Sequence, residues 1–342
     1  MAEEKFGLDI GTWNIRLSSL SAGSFISEKN VIAVKDDKII IGYGDDAFEM
    51  YERAPENVDV IFPVRDSVIS QIELMQMILE YIYKKINKGK MVKGASFLIS
   101  VPTDTTEVEK RAFHELVANS RLKAKSISMV EKSVADAVGS GIDINSHKGN
   151  FIVNIGADTT DITVLSLGSI VINHKVKIAG RKFDETIINA VKAKHQKLIG
   201  YKTAENLKIK LADMSEEPVK DECQIFARVM ATGLPVRTII DSDLINNAVR
   251  EPVLQLIDLV RNTLEKTPPE LAADIIENGI YLQGGSAAMK GIGSIFARET
   301  GIRVKLLKDP GNSTIRGVTT ILGNSAFDSV RYIPQEIGRA HV

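Results

Sequence analysis

The sequence predicts an α/β protein of two domains. Three observations carry that reading: strand-like and helix-like stretches alternate along the chain, a strand, turn and strand unit opens each half, and 342 residues suffice for two domains. Apolar residues make up 44% and charged residues 25%, both ordinary for a globular protein. With 43 Lys and Arg against 44 Asp and Glu the net charge is -1, so no nucleic-acid partner is expected. Cys223, the single cysteine, excludes an intramolecular disulfide, and His114, His147, His174, His195 and His341 lack metal-ligand spacing. No long apolar run occurs, and the charged Met1-Ala2-Glu3-Glu4-Lys5 start lacks a signal-peptide core, which leads to the expectation of a soluble, cytoplasmic protein.

The elements follow in order. Lys5 to Ile10 and Trp13 to Leu20 read as strands joined by Gly11-Thr12. Asp66-Ser67 caps an expected helix whose apolar residues Ile72, Met75, Ile78, Leu79 and Ile82 recur at three- and four-residue steps. Phe97 to Val101 reads as a buried strand ended by Pro102, and Thr106 with Glu109 forms a capping-box signature for a helix reaching about Asn119. The second half repeats the opening: Phe151 to Ile155, the turn Gly156-Ala157-Asp158-Thr159-Thr160, then a strand from Asp161 to Leu167. In register, Asp9-Ile10-Gly11 matches Asn154-Ile155-Gly156, which reads as an internal duplication. Residues 201–245 are polar and weakly periodic, as suits a smaller subdomain. Pro252 suits the first turn of a helix carrying Val253, Leu256, Ile257, Val260 and Leu264, stopped by Pro268-Pro269. Ile280 to Leu282 is a short strand running into Gly284-Gly285, and Gly338 to Val342 reads as a cloning remnant.

No Walker phosphate loop occurs. Gly42-Tyr43-Gly44-Asp45-Asp46-Ala47 satisfies dinucleotide-fingerprint spacing, but no βαβ unit precedes it, and a plain turn is the preferred reading. The paired turns are the stronger signal. Glycine and threonine present backbone N–H groups and hydroxyls into one concavity, and two such turns facing each other clamp a polyphosphate. Asp9 is then placed to position a hydrated Mg²⁺. Taken singly, each turn is better read as an ordinary hairpin with Asp9 a turn residue; the pairing, together with Gly284-Gly285, favours phosphate.

Leu8-Asp9-Ile10-Gly11-Thr12, Asn154-Ile155-Gly156-Ala157-Asp158-Thr159-Thr160-Asp161 and Leu282-Gln283-Gly284-Gly285-Ser286 resemble the phosphate 1, phosphate 2 and adenosine motifs of the actin, heat-shock chaperone and sugar kinase superfamily. Leu264 to Leu271, Leu198 to Glu205 and Glu299 to Ile302 are similar to stretches of its MreB family of bacterial actins. The resemblance implies an actin-like fold of two RNase H-like domains around a nucleotide cleft, each with a smaller subdomain. Domain I is expected over 1–145 with 326–342 returning to it, and domain II over 146–325 with an insert at about 181–245. It implies ATP or ADP with Mg²⁺ in the cleft and polymerisation into cytoskeletal filaments for cell shape or motility. Gly11, Thr12, Trp13 and Asn14 are implied to face the phosphates from one side, and Gly156, Ala157, Asp158, Thr159 and Thr160 from the other. Glu205 and Lys208, one helical turn apart, are implied at ribose and adenine, with Gly284 and Gly285 close to the base; read from spacing alone, Glu205 and Lys208 are an exposed ion pair. Self-association is the implied partnership, with cytoskeletal paralogues as further partners. Met91 and Val92, amid Lys84, Lys85, Lys88, Lys90 and Lys93, are the expected contact with the inner membrane face, a solvated Lys-rich loop being the alternative. The alternative function is a small-molecule kinase of the same superfamily transferring the ATP γ-phosphate.

The sequence also departs from that family. Asn154 replaces a usual Asp, and Glu131-Lys132-Ser133 replaces Glu-Glu-Pro, whose second Glu is thought to polarise the attacking water. A protonated lysine only donates hydrogen bonds and cannot take that role. Asp158 stands where glycine is usual, a repulsive neighbour for a triphosphate unless Mg²⁺ or Lys132 pairs with it. Either hydrolysis is crippled and the protein is mainly a nucleotide-gated polymer, or Asp158 restores some of the lost acidity. The first is the expectation. The pattern is similar to that of divergent Spiroplasma members of the family.

Overall fold

A computed structural model describes residues 3–334, so His341 and the stretch from Gly338 to Val342 lie outside the described residues. The chain divides into two units, one formed by residues 1–144 with 313–342 and the other by 145–312.

In the first unit Lys5–Ile10 is buried at every position but the first, as a central strand covered on both faces must be. It pairs antiparallel with Asn14–Ser19, which pairs with Ser24–Lys29, and parallel with Ser96–Val101, which continues to Ser126–Glu131. The strand order is thus Ser126–Glu131, Ser96–Val101, Lys5–Ile10, Asn14–Ser19, Ser24–Lys29. In the second unit Asn150–Ile155 takes the place of Lys5–Ile10. It pairs antiparallel with Thr160–Ser166, which pairs with Ser169–Val176, and parallel with Ile280–Gln283, which continues to Val304–Leu306. Strand order and direction repeat between the units, so the duplication read from two strand, turn and strand units extends to whole sheets. A small three-stranded sheet accompanies each: Ile32–Lys35, Ile39–Tyr43 and Val58–Ile61 in the first unit, and Lys197–Leu198, Glu222–Val229 and Pro235–Asp241 in the second.

The helix Glu107–Ala118 opens on the expected capping box, with Thr106 and Glu109 exchanging both bonds. Three sequence expectations are corrected. Asp66 and Ser67 do not cap a helix. At φ 50° and 68° they form the turn between the two-residue strands Val64–Arg65 and Val68–Ile69, since two successive left-handed residues make the turn that matches strand twist, and the helix begins at Ile72. Pro252 lies inside the helix Ser242–Glu265, whose cap is Asp241 accepting from the Leu244 N–H; the helical run simply starts a full ten residues earlier. The chain re-enters the first unit with the helix Ser313–Gly323, ahead of residue 326, because that helix packs on Lys132–Gly139. The crossing is close enough that a Cβ on Gly317 would collide with the Ala135 carbonyl, and one on Gly139 with that of Ser313.

Met91 and Val92 are half-buried against the first unit's core, and the Val92 carbonyl accepts from the Tyr83 hydroxyl at 2.8 Å, so they do not stand as a free apolar tip. Among the described residues no helix is long and apolar enough to cross a membrane.

Candidate functional site

The two glycine turns share one backbone device. The Gly11 N–H donates to the Asn14 carbonyl at 2.9 Å, and the Gly156 N–H donates to the Thr159 carbonyl at 3.0 Å. A Cβ at either glycine would press on that same carbonyl oxygen, at 3.0 and 2.8 Å, so the turn needs glycine for space. Each follows the end of its unit's central strand, with Ile10 opposite Ile15 in one and Ile155 opposite Thr160 in the other.

In the first unit Asn30 braces the turn, donating through its side chain to the Gly11 carbonyl at 2.8 Å and through its backbone to that of Trp13 at 3.0 Å. The buried Asp9 accepts from the Ser100 hydroxyl at 2.9 Å and from Arg16 at 3.1 Å. Among the described residues no cluster of three acidic, histidine or cysteine groups holds a metal alone. Asp9 and Thr12 are the residues that would hold a hydrated Mg²⁺, which keeps several waters and takes oxygens from phosphates. Trp13 is a correction: its indole stacks on Phe62 at 5.2 Å and meets Phe48 edge-on at 5.3 Å, so only its main chain is left for the turn.

Lys132 begins the helix Lys132–Gly139, with Glu131 in the capping position and the Thr103 hydroxyl accepting from the Ser133 N–H at 3.2 Å. One oxygen of the Glu131 carboxylate is engaged, and the other is buried without a hydrogen-bond partner. Lys110 lies 3.1 Å away, and the Tyr332 hydroxyl donates at 2.8 Å from a C-terminal segment that bridges back to Met129. Burial, with Glu131 facing it, pushes the Tyr332 phenol well above its ordinary value.

In the second unit the glycine turn is docked on a helix start. Gly180 and Arg181, opening Gly180–His195, donate to the carbonyls of Gly156 and Ala157 at 3.1 and 2.7 Å, and the Ser286 hydroxyl donates to Gly156 at 2.8 Å. Asp158 is paired by Arg181, whose Nε lies 3.0 Å from it, so its charge is offset within its own unit. Lys208 is tied to Asp184 at 2.7 Å and to the Gly180 carbonyl at 3.1 Å; it holds the helix start, while Glu205 sits half-buried one turn before it. Burial pushes Asp184 up to about 6, with Lys208 pulling down and Glu205 pushing up. At the end of Ile280–Gln283, Gly284 adopts φ 93°, and a Cβ there would meet the Asn154 side chain and the Ile155 carbonyl. Gly285 is open, and a Cβ on Gly311 would approach its Cα at 3.5 Å, leaving two bare backbones against each other. The residues that sequence reasoning missed are Arg16, Ser100, Arg181, Asp184 and Gly311. Only Gly180-Arg181 had a local signal, as the start of a periodic helix.

The MreB/Mbl protein family pattern matches residues 3–329. The chain is 35% identical over 325 residues to the cell shape-determining protein Mbl of Bacillus cereus, covering 95% of this chain and 97% of that one. Its structure is similar to that of MreB 5 of Spiroplasma citri bound to AMPPNP, with a TM-score of 0.89 and 29% identity over 94% of this chain and 96% of that one. A likeness of fold alone reaches MamK in a double helical filament, with a TM-score of 0.77 and 22% identity over 94% and 99% of the two chains. The fold is therefore actin-like, and the chain belongs to the MreB/Mbl family.

Proposed function

We propose that this protein is an ATP-binding bacterial actin that polymerises into cytoskeletal filaments and hydrolyses ATP slowly. The observation that carries the reading is the matched pair of turns, Gly11 to Asn14 and Gly156 to Thr159, each closed by the same backbone bond at the end of equivalent strands. Their backbone N–H groups and the hydroxyls of Thr12 and Thr159 suit phosphate oxygens, whereas Thr160, expected to face phosphate, is fully buried and donates its hydroxyl to the Ile178 carbonyl at 2.6 Å. The AMPPNP carried by the Spiroplasma citri relative supports a nucleoside triphosphate as ligand, and the MamK filament supports self-association. Asp9 and Thr12 would place the hydrated Mg²⁺, which would offset phosphate charge.

Slow hydrolysis follows from the chemistry at Lys132. An ammonium donates to a phosphate oxygen but cannot accept a proton from water, and losing a water-orienting base costs on the order of 10²–10⁴ in rate. The acidic alternatives in the sequence are engaged, Glu131 through one oxygen by Lys110 and Tyr332, and Asp158 by Arg181. The same engagement argues against a kinase, which needs a carboxylate base for its substrate hydroxyl. The test is calorimetry with ATP and Mg²⁺, negative-stain imaging and phosphate release on one preparation. Binding and filaments with little phosphate release are expected. Dispersed monomers that phosphorylate a small molecule would support the kinase instead.

A further inference from the structure

The first unit carries a groove that the glycine turns do not use. One wall is the outward face of the helix Ile72–Ile86, where Glu73, Met77, Glu80, Tyr81 and Lys84 recur at three- and four-residue steps while Met75, Ile78 and Ile82 enter the core. The other wall is the strand Ile39–Tyr43, which contributes Tyr43, and Arg121 lines it beyond the helix Glu107–Ala118. The cavity holds about 490 Å³, within the range of ligand sites.

Its middle is aromatic and already ordered. Tyr43 and Tyr81 stack with ring centroids 5.0 Å apart and an interplanar angle of 10°, and the Lys85 ammonium, paired with the buried Glu28, sits 5.7 Å over the Tyr81 ring. Met77, one helical turn from Tyr81, is 40% exposed. The half-buried Glu80 uses Oε1 for Arg121, accepting its N–H at 3.3 Å with the guanidinium Nε at 4.0 Å, and leaves Oε2 for another donor. Burial, with Glu80 nearby, pushes the Tyr43 phenol up, so the carboxylate stands at the stack. Charge is divided along the groove. Glu73 is exposed at one end, and Lys84 is exposed eleven residues later, about 16 Å along the helix at 1.5 Å per residue.

An extended peptide covers that span with five residues at about 3.3 Å each. We propose that the groove binds an extended segment of another protein in the order cation, spacer, tryptophan, spacer, anion. The cation meets Glu73, the indole lies on the Tyr43–Tyr81 stack and Met77 with its N–H donated to Glu80, and the anion meets Lys84 and Arg121. Tryptophan is selected because it joins a large π-face to an N–H donor and brings no acceptor to the carboxylate. A purely basic segment meets Lys84 and Arg121, and a purely acidic segment or an anionic lipid surface meets Glu73, so a partner of mixed charge is the one that fits. The site is independent of the nucleotide reading and stands or falls separately from it.

The test is calorimetry on the full chain without nucleotide, titrated with acetylated and amidated pentapeptides: Lys-Ala-Trp-Ala-Glu and Glu-Ala-Trp-Ala-Lys, which cover both chain directions, and the like-charged Lys-Ala-Trp-Ala-Lys and Glu-Ala-Trp-Ala-Glu. The better mixed-charge peptide is expected to bind at least about tenfold tighter than either like-charged one. Tyr81→Ala is expected to weaken it at least about tenfold, as loss of a central aromatic anchor does. Lys84→Glu with Arg121→Glu makes both ends acidic and is expected to move the preference to Lys-Ala-Trp-Ala-Lys; thermal melts confirm that each variant is folded. No binding by any of the peptides, a wild-type preference for a like-charged peptide, or an affinity indifferent to Tyr81 overturns the proposal. Self-association of the peptide-free chain in sedimentation velocity that Met77→Asp abolishes overturns it in favour of a second copy.

Discussion

Arg181 and Asp158 form a closed unit: the guanidinium Nε lies 3.0 Å from the carboxylate, while the Arg181 main-chain N–H donates to Ala157 at 2.7 Å, next to that carboxylate in sequence. The pairing offsets the charge of the acid that stands in the turn proposed to hold phosphate. Arg181→Met is expected to weaken ATP binding about tenfold, about 1.4 kcal/mol, and ADP binding less. Asp158→Gly should restore affinity in the double variant. Calorimetry on the four proteins gives the coupling, and additive losses would mean that the pair does not act as a unit.

Lys132→Glu together with Asn154→Asp is expected to raise phosphate release on the order of 10²-fold, because a carboxylate at helix position 132 accepts from water where the ammonium cannot. An unchanged rate in the double variant, with nucleotide affinity intact, removes both residues from the hydrolytic account.

Gly317→Ala places a methyl against the Ala135 carbonyl at the crossing of Ser313–Gly323 on Lys132–Gly139. Overpacking of this kind costs about 1–3 kcal/mol and more where backbone blocks relief. A thermal melt should fall by several degrees, whereas Gly301→Ala, with open space around its Cβ but φ 70°, is expected to cost only the backbone strain of about 1 kcal/mol.

Asp184 supplies a pH dependence. Its carboxyl is pushed up to about 6 by burial, so folding takes up a proton between roughly pH 4 and that value. The stability this brings is complete below about pH 4 and is lost as pH rises through about 6. Melts of wild type and Asp184→Asn should therefore show a stability difference that changes across this window and is flat above about pH 7. A difference that is constant with pH would remove burial as the cause.

Local chemistry made part of this molecule legible. Thr106 and Glu109 are three residues apart and satisfy each other, so their helix start could be read directly, as could the two glycine turns. Asp66-Ser67 misled because the same residue types cap helices and fill tight turns, and Pro252 misled because a proline is usual in a first turn, while here it lies ten residues inside a long helix. The rest of the candidate site rests on partners distant in sequence. Asp9 meets Ser100 across 91 residues, Glu131 meets Tyr332 across 201, and Gly156 meets Ser286 across 130. Trp13 shows the same limit, since its place among Phe48 and Phe62 depends on where those rings arrive.

The first unit is discontinuous, and that orders events during synthesis. Residues 145–312 form the second unit from one uninterrupted stretch, while the first waits for the helix Ser313–Gly323 to reach Gly139 and Asp136, where the Thr314 hydroxyl donates at 2.6 Å. The ribosome therefore delivers everything the second unit needs before it delivers the piece that seals the first. A nascent chain whose first 312 residues have emerged carries a complete second unit and an open first one, and the open half is where a chaperone would be recruited.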